Sequence, residues 1–322
     1  MTEFDFSDRT ILVTGSGRNI GRAIILEFAG RGANVVINAR SNREEAERVC
    51  AEAQALAAQA LVVMGAADEK ATIEAIQREV EARFGRLDIY VSNAARRLHK
   101  DFFETTDEGH RHLNQQLTAS WYLAKAFAPA MRDAGFGRII HINGTDGYTG
   151  GWTRVPHSTA KGGLRTLTKS LAEGLGEYGV TANDINPGYN ETVRDLTIHP
   201  EFSEPGAAER FAATIPIRRP TRPDEVAFAC AFLCSERAGR STARSSMSTA
   251  AGKCWGRPEC SGEPLRRGYL IRSSARKRGT QVILFILDPR FRGDDQCEGR
   301  DFATASQGRR PNPNVSRAEI SQ

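Results

Sequence analysis

The 322-residue chain is expected to fold as an α/β protein, with a doubly wound parallel sheet in a single domain over residues 1–240. Three observations carry this expectation. Short apolar runs alternate with amphipathic stretches from Arg9 onward, the rhythm of repeated strand–helix units around a parallel sheet. A glycine-rich turn, Thr14–Gly21, joins the first apolar run to the first amphipathic stretch. Near Arg240 the alternation stops, and no period of 3.6 or 2.0 is sustained beyond it.

Taken in order, the strands are expected at Thr10–Thr14, Asn34–Ala39, Ala60–Gly65, Leu87–Ser92, Arg138–Asn143 and Thr181–Ile185. Helical patterns fall at Ile20–Gly30, Asn42–Ala58, Glu69–Phe84, Asp107–Arg132 and His157–Tyr178, with another from Pro223 to about Glu236. Asn42, Asp107 and Thr221 have the side chains of N-caps, and Pro223 suits a first helical turn. A sheet of this kind binds ligands beyond the C-terminal ends of its strands.

Composition narrows the function classes. The chain carries net charge +5, but Ser241 to Gln322 holds 15 Lys/Arg against 8 Asp/Glu, a net of +7, which leaves −2 for residues 1–240. The basic character therefore belongs to the tail and gives no reason to expect nucleic-acid binding by the folded part. Cys50, Cys230, Cys234, Cys254, Cys260 and Cys297 form no CxxC pair and no Cys/His metal spacing, so no metal is expected. Cys230 and Cys234, four apart on a helix, read as buried thiols. The N-terminus has no basic start followed by an apolar stretch, and the longest aliphatic run, Val282 to Leu287, is far short of a membrane span. A cytoplasmic protein with no membrane partner is expected.

Thr14-Gly15-Ser16-Gly17-Arg18-Asn19-Ile20-Gly21 follows a strand and opens a helix, the setting in which a glycine motif has meaning. Gly15 allows a tight turn, Gly21 permits close helix–strand packing, and the helix N-terminus offers N–H groups to a pyrophosphate. Ala67-Asp68 follows the third strand, Ser92-Asn93-Ala94-Ala95 the fourth, and Asn186-Pro187-Gly188-Tyr189-Asn190-Glu191-Thr192 the sixth. In this order the motifs resemble those of the short-chain dehydrogenase/reductase family, in particular its 3-oxoacyl-carrier-protein reductase-like branch, across residues 8–238. The resemblance implies a Rossmann-type fold and a nicotinamide dinucleotide held by Gly15, Ser16, Arg18, Asn19, Ile20, Gly21, Asp68, Asn93, Ala94, Lys161, Pro187, Gly188 and Thr192. The family pattern is Thr-Gly-x-x-x-Gly-x-Gly, and Asn19 stands at its middle Gly. The second strand ends Asn38-Ala39-Arg40-Ser41 without the carboxylate that would pair with a free ribose 2′-OH. Arg40 and Arg18 offer forked donors to a 2′-phosphate instead, which favours NADP over NAD.

The same resemblance implies a reaction site of Asn, Ser, Tyr and Lys. Lys161 is retained in Pro156-His157-Ser158-Thr159-Ala160-Lys161, but His157 occupies the Tyr position, Gly144 the Ser position and Gln116 the Asn position. Two readings follow. In one, His157 is the general acid for carbonyl reduction, with Gln116 and Thr145 (or Asp146) supplying polar support; imidazole does this chemistry near neutral pH, although a neighbouring Lys disfavours its cation. In the other, the chain is a catalytically silent dinucleotide-binding or assembly subunit. The substrate expected for the active enzyme is a 3-oxoacyl thioester or similar small ketone. His141, inside a strand, is expected to pack. Asn114 is the lesser candidate for the Asn position. Arg96, Arg97, His99 and Lys100 form a basic loop, and Trp152 and Tyr189 flank the expected pocket. The long helices bearing Gln116 and His157 are expected to pair in a homodimer or homotetramer.

Residues 241–322 are expected to be a disordered tail. Arg240 to Gly256 can be back-translated so that the DNA, read from the third base, encodes Val-Asn-Gly-Gln-Val-Ile-His-Val-Asn-Gly-Gly-Gly-Lys-Val-Leu-Gly, and the Met247 and Trp255 codons both fit. That string resembles the terminal strand of the reductase family, and Leu287–Asp295 resembles translated intergenic repeat DNA. A frameshift near codon 240 is the reading this supports, with loss of the final strand, an exposed sheet edge and an inactive product as its consequence. Gln281–Leu287 would then add an aggregation-prone segment.

Overall fold

Seven strands pair among the described residues in the order β3-β2-β1-β4-β5-β6-β7, all parallel. They are β1 (Thr10–Thr14), β2 (Asn34–Ala39), β3 (Ala60–Met64), β4 (Ile89–Ser92), β5 (Gly137–Ile142), β6 (Val180–Asn186) and β7 (Ser245–Met247). The structure, a computed structural model, describes residues 4–95, 99–193, 202–239, 241–242 and 245–247, without the side chains of residues 108–110, 112–114 and 245–247. Arg96, Arg97, the Asn114 side chain, the three last cysteines and the tail beyond Met247 lie outside the described residues.

The strands are continuous runs such as Thr-Ile-Leu-Val-Thr, buried at every position of β1, because helices cover both sheet faces. The helices are α1 (Asn19–Ala29), α2 (Arg43–Ala55), α3 (Lys70–Phe84), α4 (Asp107–Asp133), α5 (Asp146–Thr149), α6 (Val155–Leu175), α7 (Ala207–Ala213) and α8 (Pro223–Cys234). On one face Ile24, Ile25 and Phe28 of α1 pack with Val226, Cys230 and Cys234 of α8 against Ile11, Val13 and Ile37. On the other, Ile73 and Ile76 of α3 and Leu123, Phe127 and Met131 of α4 close over Leu12, Val36 and Tyr90. Each fully buried large side chain contributes about 1.5–3 kcal/mol.

The local signals behaved unevenly. Asn42 caps α2, its side chain accepting from Glu45 N at 3.0 Å. Asp107 is already the first residue of α4. The cap position of α8 is Arg222, since the Thr221 backbone is engaged with Tyr189 and Glu191. Two short helices, α5 and α7, escape a periodicity reading because four and seven residues complete too few turns to establish a period.

The expected loss of the final strand is corrected: Ser245–Met247 pairs with Asp184–Asn186 at the sheet edge, beyond the boundary drawn at residue 240. A parallel ladder is made by backbone groups, so Ser-Ser-Met can form one. The chain is led there by Asn183, whose Nδ2 donates to Ser241 O at 2.7 Å, and by Thr242 Oγ1, which accepts from Ala182 N at 3.2 Å.

Candidate active site

The strand order reverses direction between β1 and β4, and their two loops meet there. Thr14 ties them together: its hydroxyl accepts from Asn93 N and Ala94 N, both at 3.0 Å. Asn93 Nδ2 returns to Thr14 O at 2.9 Å and Gly15 O at 3.0 Å. Gly15 adopts φ +62°, and a Cβ on Gly21 would lie 2.4 Å from Gly15 O, so α1 is pressed onto the loop. The N-terminus of α1 has no side-chain cap and no acidic residue in its first turn. Uncapped N–H groups and an absence of carboxylates suit a diphosphate, so this crevice fits the dinucleotide.

Around the crevice, Ser16 N donates to Asn38 O at 2.9 Å, bringing the loop against the end of β2. Arg18 and Arg40, each two residues beyond this link, are exposed at the same end. Asp68 is half-buried past β3, and Ile20 packs beside the α1 core. Pro187 and Gly188 leave β6, Gly188 with φ +71°. Past Thr192 the chain is clasped by a residue whose second role the sequence did not reveal. Asn19, at φ +52°, donates from Nδ2 to Val193 O at 3.3 Å and accepts at Oδ1 from Val193 N at 3.1 Å. Asn is among the few residues that occupy the left-handed region readily, and here its amide joins the glycine loop to the loop after β6.

The side chains at the candidate reaction positions gather at the C-terminal end of β5. Lys161 is buried on α6, and its Nζ donates to Ile142 O at 2.6 Å. His157, one helical turn earlier, is buried with Nδ1 3.1 Å from Gln116 Nε2 on α4. A Cβ on Gly144 would meet His157 Nε2 at 3.9 Å and Lys161 Cε at 4.0 Å. Gly144 thus leaves a space bounded by the imidazole and the lysine stem. Thr145 stands at the start of α5, its carbonyl accepting from Tyr148 N. The side chain of this turn that reaches the imidazole is Asp146: Oδ2 lies 3.7 Å from His157 Nε2, and Oδ1 is 3.3 Å from Arg154. Neither a glycine motif nor a periodicity pointed to Arg154, which comes into range only because α6 begins there.

The remaining candidates separate. His141 is fully buried in β5 and joined to Thr168 Oγ1 at 2.7 Å; burial, and after it the charge of Lys161, push its pKa down to about 3. It is a neutral packing residue. Trp152 turns outward, donating to Asp101 Oδ2 at 2.6 Å beside exposed Phe102 and Phe103. Tyr189 packs on Phe211, ring centres 4.5 Å apart. Lys100 is exposed, its backbone held by Thr153 O. Cys230 and Cys234 are buried, and burial pushes both thiols up.

A family model described as enoyl-(acyl carrier protein) reductase matches residues 15–248. The acetoacetyl-CoA reductase of Rhizobium meliloti (strain 1021) is 34% identical over 234 residues, 72% of this chain and 92% of that protein. The acetoacetyl-CoA reductase of Cupriavidus necator is 31% identical over 238 residues, 73% of this chain and 94% of that protein. Among solved structures, a gluconate 5-dehydrogenase from Burkholderia cenocepacia J2315 in complex with NADP and tartrate superposes with TM-score 0.70 at 28% identity, covering 77% of this chain and 96% of that one.

Proposed function

Because the chain belongs to the short-chain dehydrogenase/reductase family, and so is a nicotinamide-dependent oxidoreductase interconverting a carbonyl and an alcohol, we propose that it uses NADP and reduces a 3-oxoacyl thioester or similar small ketone through a histidine-centred site. The observation that carries this reading is the approach of His157 Nε2 to the space left by Gly144, with Lys161 as its neighbour. When bound, the reduced nicotinamide supplies the hydride to the carbonyl carbon.

His157 then delivers the proton. As an imidazolium it directs Nε2–H at the carbonyl oxygen; the N–H bond breaks as the O–H bond forms, and a neutral imidazole remains with its proton on Nδ1. Nδ1 carries a proton in both states, so Gln116 serves them by turning its amide to present the acceptor Oε1 where Nε2 now lies 3.1 Å from Nδ1. Lys161, held by Ile142 O, provides the positive field and a ribose contact. The shorter imidazole reaches less far than a phenol, so the substrate oxygen must enter more deeply, into the volume beside Gly144. Thr145 borders that volume from the start of α5.

NADP is favoured by Arg40 and Arg18, exposed at the end of β2 where no carboxylate stands. The thioester substrate class rests on the acetoacetyl-CoA reductases among the relatives. Pairing of α4 and α6 with a second copy is supported by the apolar groove there, lined by half-exposed Trp121 with Ala124, Leu167 and Leu171.

The test is NADPH oxidation with acetoacetyl-CoA and a panel of ketones, alongside NADPH binding by fluorescence. Turnover is expected, lost in His157→Gln with NADPH binding kept. Binding without turnover across the panel would refute the reductase reading and leave a dinucleotide-binding subunit.

A further inference from the structure

A histidine that donates a proton beside a lysine faces an electrostatic problem. Two cations in a poorly solvated pocket repel, and the imidazolium is the form that loses. His141 displays the local effect, since the Lys161 charge adds to burial in keeping it neutral. His157 has no family tyrosine's ordinary answer to this, because a phenol that gives up its proton becomes an anion and is attracted to the lysine. A histidine site needs a counter-charge of its own.

We propose that Asp146 is that counter-charge, a positioning residue that steadies the protonated His157 and aims its Nε2–H at the substrate oxygen, with Arg154 fixing the carboxylate. The proposal rests on His157 being the proton donor. Asp146 spans the two partners with separate oxygens, Oδ1 at 3.3 Å from Arg154 and Oδ2 at 3.7 Å from His157 Nε2. The three side chains are only 13%, 19% and 9% exposed, so solvent screens them weakly.

The geometry is built rather than incidental. Gly147, next to Asp146, lies so close to α6 that a Cβ there would fall 2.7 Å from Lys161 C and 2.9 Å from Lys161 O. Helix α5 is thereby pressed against the turn of α6 that carries His157 and Lys161. Arg154 sits at the cap of α6, three residues before His157. The 3.7 Å separation also has a consequence. It is too long to capture the proton in a full hydrogen bond, yet short enough for strong attraction. Nε2–H is therefore stabilised without being withheld from the substrate. Among the described residues, the charged groups around His157 include Asp146 from α5, Arg154 from the turn before α6 and Lys161 from α6; α4 presents uncharged Gln116, and His141 of β5 is neutral. Asp184 of β6 accepts from Asn143 Nδ2 at 2.8 Å.

The experiment follows the His157 imidazole by long-range ¹H–¹⁵N NMR in the full chain, its signal assigned by loss in His157→Gln, together with the pH profile of reduction. In Asp146→Asn the midpoint is expected to fall by about one pH unit or more. The decline of kcat with rising pH should move to lower pH by the same amount, with NADPH affinity unchanged, and Asp146→Glu should recover part of the shift. Asp146→Ser removes the same charge with a smaller side chain and should lower the midpoint similarly; this second variant decides the matter if Asp146→Asn does not fold. A His157 midpoint unmoved in the folded variants, or a loss of rate equal at every pH, would overturn the proposal. The titration needs no turnover, so the two readings fail separately. A shifted midpoint in a protein that reduces nothing defeats the reductase reading alone, and an unshifted midpoint in an active enzyme defeats the role of Asp146 alone.

Discussion

Replacing Gly21 by Ala tests the cofactor crevice without any assumption about the reaction. The added Cβ would stand 2.4 Å from Gly15 O, 2.7 Å from Ser16 Cα and 2.8 Å from Asn93 Nδ2. All three are parts of the loop pair that Thr14 and Asn93 hold together, and two are backbone, so no side-chain rotation relieves the clash. The glycine loop must retreat by about 1 Å to restore ordinary contact. Overpacking of this kind costs about 1–3 kcal/mol. The strained Asn93–Gly15 hydrogen bond, 3.0 Å in the native protein, adds about 1 kcal/mol. Against this, Ala favours helix over Gly by up to about 1 kcal/mol. The net is a destabilisation of about 1–3 kcal/mol, or roughly 3–10 °C in Tm for a domain of this size. A displaced loop misaligns the N–H groups that meet the diphosphate, so NADPH should bind at least about tenfold more weakly. Gly17→Ala is the internal control, because its Cβ would meet nothing nearer than Glu45 Cβ at 3.4 Å; it should melt and bind like the wild type. Urea denaturation and fluorescence titration of NADPH measure both quantities. Equal stability and affinity for Gly21→Ala and wild type would refute the close approach of α1 to the loop.

Three further outcomes are expected. In Arg40→Asp, loss of a charge-assisted contact worth about 1.5–3 kcal/mol should weaken NADPH by at least tenfold and improve NADH; an unchanged NADPH/NADH ratio of kcat/KM speaks against the assignment. In Gly144→Ser the Cβ is accommodated, its nearest neighbours being 3.9–4.0 Å away, so stability should change by less than about 0.5 kcal/mol while the hydroxyl occupies the volume the substrate oxygen must enter and kcat falls about tenfold or more; an unchanged or higher kcat would count against the role of that volume. His141 titrates near 3 in the fold, against about 6.5 unfolded. The unfolded chain therefore takes up a proton that the native state refuses, and stability is complete above pH 6.5 and falls on acidification. Between pH 6.5 and 5 the loss should be about 2 kcal/mol, and His141→Asn should flatten that slope; parallel slopes in the two proteins are the contrary result.

Much of the fold was legible because periodicity reports burial. The β1 to β6 strands and the long helices are runs whose apolar spacing is enforced by one sheet with two covered faces. Asn42 declared itself as a cap because its side chain satisfies a backbone N–H only three residues away. Short elements were not legible: α5 has four residues and α7 seven. The edge strand β7 was concealed for another reason. Ser-Ser-Met carries no strand pattern, and its pairing rests on backbone ladder bonds and on the anchors at Asn183 and Thr242.

The site divides along the same line. By itself the sequence marked a candidate cofactor crevice and, through its resemblance to the family, the substituted positions His157, Gly144 and Gln116, because a glycine turn and a short motif are local in the chain. Only the tertiary structure decided what surrounds the imidazole. Gln116 lies 41 residues from His157 in sequence and 3.1 Å away in space. Asp146 and Arg154 form one network with it because Gly147 lets α5 rest on α6. Asn19, which the sequence marked as a departure from glycine in the expected cofactor turn, meets Val193 across 174 residues. Contacts of this range are made by packing, and no spacing in the chain encodes them.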